Sequence, residues 1–397
     1  MTSISASPIK LHRHREQFPA LANKTYFNYG GQGPMPQRAM DAIAQTQAHV
    51  QHIGPFGNDA YRWIAPQTQA AREAIASELN APSETITLTQ NVTVGCNIAM
   101  WGIQWRAGDH LLLSDCEHPG VIAAAQEISR RFAVEVTTCP LKVTLNQGDP
   151  VKVITQHLRA NTRLVILSHV LWNTGQVLPL DKIVEVCRNN HSALLIDAAQ
   201  SAGLLPLNLT ELGIDFYAFT GHKWLCGPAG AGGLYVRPEA RENLKPTFIG
   251  LNGIVVDSQS QPIGWLPDGR RYEVSTLAYP LYLGLKEAIA IHQQWGTSQE
   301  RYEQICQNSE YLWRQLIALP DIKCLRTSPP ESGIVSFQLI NNQPQTHLKL
   351  VEFLESQKIL TRTIADPSCI RATVHYFTLE SEIDLLVETI QSFCKTS

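Results

Sequence analysis

The chain lacks the features that mark several special classes of protein. No run is long and apolar enough to cross a bilayer, and residues 1–8 lack the apolar core of a secretory signal. The 32 lysines and arginines nearly balance the 35 aspartates and glutamates, which leaves a net charge of −3. A nucleic-acid surface would need a basic excess. We therefore expect neither a membrane partner nor a nucleic-acid partner.

Cysteine is present, but not in a pattern that holds a metal. The nine cysteines are scattered, and no two form a Cys-x-x-Cys pair. This spacing argues against a zinc site and a thioredoxin-type site, so we predict no metal. Without a secretory signal, we expect a reducing cytoplasmic setting in which most cysteines are small buried hydrophobic residues.

A short basic cluster, His-Arg-His-Arg, occupies residues 12–15. A cluster of this size can bind phosphate or RNA, but it is more typical of a charged helix face. We predict that these four side chains lie on the solvated face of an N-terminal helix.

The middle of the chain alternates apolar runs of strand length with helical patterns. Strands are predicted over residues 110–114, 163–168 and 192–197, with helices between them. Two helices, over residues 38–53 and 66–79, come before this region. The alternation predicts an α/β fold with a mostly parallel sheet covered by helices on both faces.

The pattern changes after about residue 280, where long helices and a few strands predict a compact α+β unit. The resulting division has two parts. Residues 23–280 form a large domain. Residues 1–22 and 281–397 form a smaller domain that combines an N-terminal arm with the C-terminal α+β unit.

Polar residues follow the predicted strands. In an open α/β sheet, ligands bind beyond the carboxyl ends of the strands. These positions therefore predict a cofactor cleft. The residues are Asn91, Asp115, His118, His169, Asn173, Asp197 and His222.

Two residues near these positions, a lysine and one of these aspartates, carry specific chemistry. Lys223 lies between the apolar run 214–219 and the glycine-rich turn 227–233, and Asp197 ends another apolar run. A lysine that forms a Schiff base and a carboxylate that holds a pyridinium nitrogen are the minimum for pyridoxal phosphate (PLP) chemistry. Burial and nearby cations would lower the pKa of the lysine. The structural alternatives are a surface lysine beside a turn and an aspartate that caps a helix.

Taken together, these motifs resemble the class V aminotransferase family of fold-type I PLP enzymes, which includes cysteine desulfurases and cysteine/cystine C–S lyases. The resemblance covers nearly the whole chain. It implies the fold-type I PLP-dependent transferase fold, with Lys223 bound to PLP and Asp197 at the pyridine nitrogen. It also implies that Gln200 and Asn173 lie beside the phenol oxygen of the ring.

The family resemblance extends to the cofactor phosphate. Residues 90–97 follow a short strand, open a helix and resemble the phosphate loop of the family. Ser275 stands where the family usually has a glycine, next to a threonine that reaches the phosphate from the partner subunit. The resemblance therefore implies a homodimer. The matching phosphate residues are Val92, Thr93, Thr220, His222 and, from the partner, Thr276.

Three further residues match positions that face the ring or the substrate. His118 matches a histidine that stacks on the pyridine ring and shuttles protons, although a capping or core histidine is the structural alternative. Arg371 matches the arginine that clamps the α-carboxylate of the substrate, because a guanidinium suits a carboxylate geometrically. Arg362 matches a second arginine near the substrate. Either arginine could instead form a structural salt bridge.

The segment between the two arginines selects the reaction. The desulfurases of the family carry a nucleophilic cysteine on a loop in this interval. In this chain the interval is short, covering only residues 363–370. Its single cysteine, Cys369, begins a predicted strand. Without a thiolate above the cofactor, direct attack on the substrate sulfur is hard to arrange.

We therefore predict a PLP-dependent C–S β-lyase that cleaves L-cysteine or L-cystine to pyruvate, ammonia and sulfide or persulfide. The resemblance implies that the persulfide could supply sulfur, through an acceptor protein, for iron–sulfur clusters. Three alternatives stay open. They are a cysteine desulfurase or selenocysteine lyase that yields alanine, an aminotransferase, and a non-catalytic PLP-binding protein.

Overall fold

The computed structural model describes residues 8–340 and 344–396. Its α-helices are α1 (Pro8–Arg15), α2 (Gln37–Ile53), α3 (Asn58–Glu78), α4 (Val92–Gly102), α5 (Pro119–Phe132), α6 (Pro150–His157), α7 (Leu180–Asn189), α8 (Leu209–Leu212), α9 (Tyr279–Trp295), α10 (Ser298–Ile317), α11 (Pro344–Ser356) and α12 (Glu380–Thr396).

The β-strands of the same residues form one large sheet and several smaller ones. They are β1 (Thr25–Tyr26), β2 (Ile86–Thr89), β3 (His110–Ser114), β4 (Glu135–Cys139), β5 (Thr162–Ser168), β6 (Ala193–Asp197), β7 (Phe216–Thr220), β8 (Gly232–Val236), β9 (Ile254–Val256), β10 (Pro262–Trp265), β11 (Ile322–Cys324), β12 (Ile334–Leu339), β13 (Ile359–Leu360), β14 (Arg362–Ile364) and β15 (Cys369–Thr373).

The large sheet has the strand order β2-β8-β7-β6-β5-β3-β4. Strands β3 to β7 are parallel, whereas β8 runs antiparallel to both of its neighbours. Strands β5, β6 and β7 are buried along nearly all of their length, which explains their apolar runs. The predicted mostly parallel sheet is confirmed, and its carboxyl edge gathers the residues that follow β3, β5, β6 and β7.

Helix α4 packs closely on this sheet because it contains Gly95. A Cβ atom at Gly95 would lie 2.9 Å from the Cβ of Ala218 in β7. A larger residue would push the amino end of α4 away from the carboxyl edge of β7. The close packing therefore sets the position of the helix start relative to the strand that precedes Lys223.

The predicted start of one helix is wrong. Helix α3 begins at Asn58 rather than at Pro66, and Pro66 lies inside it. Proline is common in the first turn of a helix, which is why the sequence pattern favoured a start there. An interior proline removes one backbone hydrogen bond. In this chain the helix continues through that position.

A second core lies under the smaller antiparallel sheet, which has the order β11-β12-β15-β14. The core joins Phe27, from the amino-terminal part of the chain, to Leu312, Phe337, Ile370 and Ile390. Strand β1 also pairs in parallel with β13. The amino-terminal segment is therefore built into the C-terminal α+β unit.

The division into two domains at residues 280 and 281 stays a prediction. Helix α9 lies against α2 and α3, and its Ile289 and Ile291 belong to the core that lies under the large sheet. This packing favours a boundary after α9. Residues 1–7, 341–343 and 397 of the predicted smaller domain lie outside the described residues.

The prediction of a fully solvated basic cluster is wrong for two of its four side chains. His14 is 6% exposed, and its Nε2 lies 2.8 Å from the hydroxyl of Tyr376. Arg15 forms a salt bridge of 2.7 Å with Glu382. These contacts attach α1 to the C-terminal part of the chain.

Among residues 8–340 and 344–396, no helix has both the length and the apolar character that a membrane span requires.

Candidate active site

The carboxyl edge of the large sheet brings together residues from both parts of the chain. Asp197 ends β6, Lys223 follows β7, and His118 follows β3. The charge of Asp197 raises the pKa of both Lys223 and His118, whereas Arg362 and Arg371 act in the opposite direction on Lys223. The predicted lysine, aspartate, histidine and two arginines thus share one site.

Lys223 is held in a tightly packed backbone segment. A Cβ atom at Gly33 would lie 2.2 Å from the carbonyl oxygen of Lys223, and one at Gly203 would lie 2.8 Å from the backbone of Trp224. Burial is the largest cause that lowers the pKa of Lys223, which falls to about 8 despite the opposing effect of Asp197. The lowered pKa favours the neutral amine more than in an exposed lysine, and the neutral form is the one that can act as a nucleophile or base.

Asp197 is a buried carboxylate without an ion-pair partner among the described side chains. It is 5% exposed, and its Oδ1 accepts a hydrogen bond of 2.9 Å from the amide of Ala199. Burial raises its pKa, and the charges of Lys223 and His118 only partly oppose this effect. A cationic group placed next to Asp197 would favour its ionised form.

His118 both caps a helix and faces the site. Its Nδ1 accepts a hydrogen bond of 3.2 Å from the amide of Gly120, so the neutral ring carries its proton on Nε2. The ring meets that of Trp172 edge to face, with 6.2 Å between the centroids. Burial lowers the pKa of His118. His118 therefore does cap α5, as the structural alternative predicted, and this hydrogen bond sets the tautomer of its neutral ring.

Gln200 and Asn173 are held by backbone and tryptophan contacts. The Nε2 of Gln200 donates to the carbonyl of Gly30 at 2.8 Å, and its Oε1 accepts from the indole of Trp224 at 2.9 Å. Asn173 donates to the carbonyl of Asp366 at 3.0 Å, and its Oδ1 is buried without a partner. Gln200 therefore keeps one Nε2 hydrogen for a ligand, and Asn173 keeps its Oδ1 atom. The contacts of these two residues with the cofactor ring stay a prediction.

The start of α4 presents free backbone donors. Asn91 caps the helix by accepting a hydrogen bond of 3.1 Å from the amide of Val94. The first amides of a helix have no intrahelical acceptor, and here these are the amides of Val92 and Thr93. Such a helix start favours a bound phosphate group.

Thr220 and His222 lie next to this helix start. The Oγ1 of Thr220 lies 2.6 Å from the Nδ1 of His222, and burial lowers the pKa of the histidine. A Cβ atom at Gly232 would lie 3.1 Å from the Cα of Asn91 and 3.2 Å from the Cα of Thr220. Glycine at position 232 therefore allows the helix start and the end of β7 to approach each other.

Thr276 faces a pocket beside the start of α4. It is exposed, and together with Gln90 and Val94 it lines this pocket of about 230 Å³. The predicted contact between Thr276 and the phosphate of a partner subunit stays a prediction.

Arg371 is a buried cation with unused hydrogen-bond donors. It is 1% exposed, and its Nη1 donates to the carbonyl of Trp172 at 2.8 Å. Its Nε and Nη2 are buried without a partner. Burial lowers the pKa of Arg371 to about 9, and neighbouring Arg362 adds to the effect. An anion at Nε and Nη2 would satisfy both donors and the charge.

Arg362 lies directly opposite Arg371 in the antiparallel pair of β14 and β15. Its side chain is exposed, and among the described residues it forms no salt bridge. The alternative that Arg362 forms a structural salt bridge is therefore wrong. Arg362 adds positive charge at the site while it stays accessible to solvent.

The thiols of the chain are unsuited to nucleophilic attack. All nine cysteines are free, and burial raises the pKa of each of them. Cys369 is 0% exposed in β15, and burial raises its pKa to about 12. The segment between the two arginines forms a hairpin of β14 and β15. The prediction that Cys369 begins a strand is confirmed.

Sequence reasoning missed several residues that shape the site. Trp172 contacts both His118 and Arg371. A Cβ atom at Gly30 would lie 3.1 Å from the Cζ of Arg371, so this glycine forms part of the wall around the guanidinium. The glycines at positions 30, 31 and 33 are the one signal in the sequence that could have indicated this wall.

The residues present fit PLP. Arg371 and Asn173 leave buried polar atoms unpaired, Asp197 lacks a cationic partner, and the start of α4 offers donors for a phosphate. Lys223 has the lowered pKa that an amine nucleophile needs. No cluster of three or more metal-ligating side chains occurs within the described part of the chain.

Comparison with known proteins identifies the family. The model of the family described as aminotransferase class-V matches residues 25–386. This chain belongs to the class V aminotransferase family. Among curated relatives, a probable cysteine desulfurase of Methanothermobacter thermautotrophicus is 27% identical, with 95% of this chain and 96% of the relative covered. An isopenicillin N epimerase of Streptomyces clavuligerus is also 27% identical, with 94% and 95% covered.

Two solved structures of C-DES are more similar. One is the complex between the cystine C–S lyase C-DES and its reaction product cysteine persulfide. It is 50% identical to this chain and has a TM-score of 0.93, with 95% of this chain and 100% of that chain covered. The other is a lysine-to-alanine variant of C-DES with glycine covalently linked to its PLP cofactor. It is 49% identical, with a TM-score of 0.93 and 96% and 99% covered. The predicted class V family and fold-type I fold are confirmed.

Proposed function

We propose that this chain is a PLP-dependent C–S β-lyase that cleaves L-cystine or L-cysteine to pyruvate, ammonia and persulfide or sulfide. The observation that carries the proposal is a site with an activated lysine and a buried arginine but no accessible thiolate. Identities of 49% and 50% to the cystine C–S lyase C-DES support the same activity. The epimerase among the relatives shows that family membership alone does not select the reaction.

PLP supplies an aldehyde that combines with an amino group and a ring that accepts electrons. Arg371 binds the α-carboxylate of the substrate through its free Nε and Nη2. Lys223, whose pKa is lowered to about 8, removes the proton from Cα. Asp197 would hold the pyridine nitrogen of PLP and favour its protonated form, because a buried carboxylate favours a neighbouring positive charge.

The sulfur group leaves from Cβ, with proton donors close to it. His118 carries its proton on Nε2, and Lys223 holds the proton that it took from Cα. A disulfide substrate releases a persulfide, which is a better leaving group than hydrosulfide because its conjugate acid is stronger. We therefore propose cystine as the favoured substrate.

Product analysis tests this proposal. Purified protein with PLP and L-cystine is expected to form pyruvate and ammonia in equal amounts. A Cys369→Ala variant is the matched control, and it is expected to form pyruvate at the wild-type rate because the buried thiol takes no part.

Each alternative reaction gives a different result in the same assay. Alanine as the main product, lost in Cys369→Ala, would contradict the lyase and support a desulfurase. Accumulation of pyridoxamine phosphate with an amino donor would support an aminotransferase. Cofactor binding without turnover of any sulfur amino acid would support a non-catalytic PLP-binding protein.

We also propose that the protein is a homodimer. Large apolar side chains are exposed in the segment from residue 248 to residue 274, which precedes Thr276, and a second copy of the chain would cover them. These side chains are Phe248, Ile249, Leu251, Ile263, Trp265 and Val274. Light scattering is expected to give twice the 44.1 kDa of one chain. Leu251→Glu is expected to shift the mass towards the single chain, and a monomeric wild-type protein would contradict the proposal.

The destination of the sulfur and the compartment are part of the proposal. We propose that persulfide passes to an acceptor protein and from there to iron–sulfur clusters, which follows from the family resemblance. We propose a cytoplasmic setting because all nine cysteines are free.

A further inference from the structure

Glu117 is a buried carboxyl group that the proposed chemistry does not use. It is 3% exposed, and no basic side chain pairs with it among the described residues. Its Oε1 accepts hydrogen bonds from the hydroxyl of Ser114 and, at 3.0 Å, from the amide of Ser168. Its Oε2 accepts a hydrogen bond of 2.8 Å from the hydroxyl of Ser168. Three donors therefore converge on one side chain.

These hydrogen bonds connect the ends of two strands next to the active site. Ser114 ends β3 and Ser168 ends β5. Glu117 lies in the connection between β3 and α5, and it directly precedes His118, which caps α5. Ser168 is also the register partner of Asp197 in the neighbouring strand β6. One carboxyl group thus touches the segment that carries His118 and the strand beside Asp197.

The surroundings of Glu117 favour neither charge state strongly at neutral pH. Burial raises its pKa and the negative charge of Asp197 adds to that effect, while the three hydrogen bonds oppose it, and the resulting value is about 7. Groups from α4, β4 and its own connection also lie near it, and none of them is a cation. These titratable groups are Cys96 in α4, Cys139 in β4 and Cys116 in its own connection.

We propose that Glu117 is a positioning residue that holds the His118 segment against β5 and provides a second carboxylate behind Asp197. In its ionised form it accepts all three hydrogen bonds at once. Protonation converts one acceptor oxygen into a donor, so the hydroxyl of Ser168 must turn, and the negative charge beside Asp197 is lost. The expected effect on kcat rests on the proposed PLP-dependent activity. The positioning role and its effect on stability do not.

Glu117→Gln tests the proposal because glutamine keeps the shape of the side chain and removes the titration. In the PLP-loaded enzyme, kcat for cystine is expected to fall about tenfold at pH 8, with KM within about twofold of wild type, since Arg371 is untouched. The wild-type profile of kcat is expected to have an inflection near pH 7, and Glu117→Gln is expected to lack it. Glu135→Gln removes an exposed glutamate from β4 and is the matched control, with no expected change in this profile.

Thermal unfolding provides a readout that is independent of the reaction. Folding raises the pKa of Glu117 above its ordinary value of 4.5, so folding favours the protonated form. Its contribution to stability is complete below pH 4.5 and is lost as pH rises through about 7. The Tm of the full chain without PLP, measured relative to Glu117→Gln, is therefore expected to fall between pH 5 and pH 8.

A Tm difference that is constant between pH 5 and pH 8, or a kcat inflection that persists in Glu117→Gln, would overturn the proposal. If Glu117→Gln does not fold, Ser168→Ala provides the second test. Loss of the donor to Oε2 is expected to move the inflection to higher pH, and an unshifted inflection would contradict the proposal. The Tm measurement keeps this test separate from failure of the lyase proposal, because it requires neither PLP nor turnover of cystine.

Discussion

Replacement of Lys223 by alanine is expected to abolish pyruvate formation from cystine, with kcat lowered by about 10³-fold or more. The structure gives one amine this role. Lys223 follows β7 at the carboxyl edge of the sheet, and its pKa is lowered to about 8 mainly by burial, then by Arg371 and Arg362. Steady-state kinetics of pyruvate release would measure the loss.

Two variants separate the role of this amine from a loss of positive charge. Lys223→Arg keeps the charge but offers no neutral amine near pH 8, so it is expected to be as inactive as Lys223→Ala. Lys182→Ala removes an exposed lysine from α7 and is expected to retain full activity. Activity within tenfold of wild type in Lys223→Ala would contradict the assignment.

Arg371→Gln is expected to raise KM for cystine by about 10²-fold, with a smaller change in kcat. The buried guanidinium has two donors without a partner, and these are the groups that would meet the substrate carboxylate. Loss of one member of a buried charge pair costs about 2–5 kcal/mol, and each 1.4 kcal/mol is a factor of ten in affinity. Initial rates across a range of cystine concentrations would separate KM from kcat.

The same variant has a second expected effect, on stability. Without substrate, Arg371 is a buried cation that no carboxylate compensates, and its pKa is lowered to about 9 by that burial. Removal of an unpaired buried charge does not destabilise a protein in the way that loss of a satisfied group does. We expect the Tm of Arg371→Gln to be no lower than that of wild type.

Arg362→Gln is the matched control for both effects. Arg362 lies opposite Arg371 in the same strand pair, but it is exposed and solvent screens its charge. Arg362→Gln is expected to raise KM for cystine less than Arg371→Gln does. An unchanged KM in Arg371→Gln, or a larger effect in Arg362→Gln, would contradict the assignment of the carboxylate site.

The sequence predicted the parts of the molecule that depend on local pattern. Apolar runs such as β5 and β6 are buried on both sides, so their composition indicates a parallel sheet directly. The residues at the strand ends, including Asp197 and Lys223, follow from the rule that ligands bind beyond the carboxyl ends. Their proximity in the structure is a consequence of sheet topology.

Contacts between distant parts of the chain could not be predicted in this way. The contact of His14 with Tyr376 joins residues near opposite ends of the chain, and no local pattern marks it. The start of α3 was misplaced because an interior proline gives the same signal as a proline in the first turn. The three hydrogen bonds that converge on Glu117 come from two different strand ends, so they appear only after the chain has folded.

Covalent trapping tests the central claim most directly. The proposed mechanism requires that PLP is attached to the amine of Lys223, which family membership and the position and lowered pKa of this lysine support. Borohydride reduction of the purified protein after incubation with PLP, followed by digestion and mass spectrometry, is expected to place the phosphopyridoxyl group on the peptide that contains Lys223. Modification of a different lysine, or the absence of any modified peptide, would contradict the account.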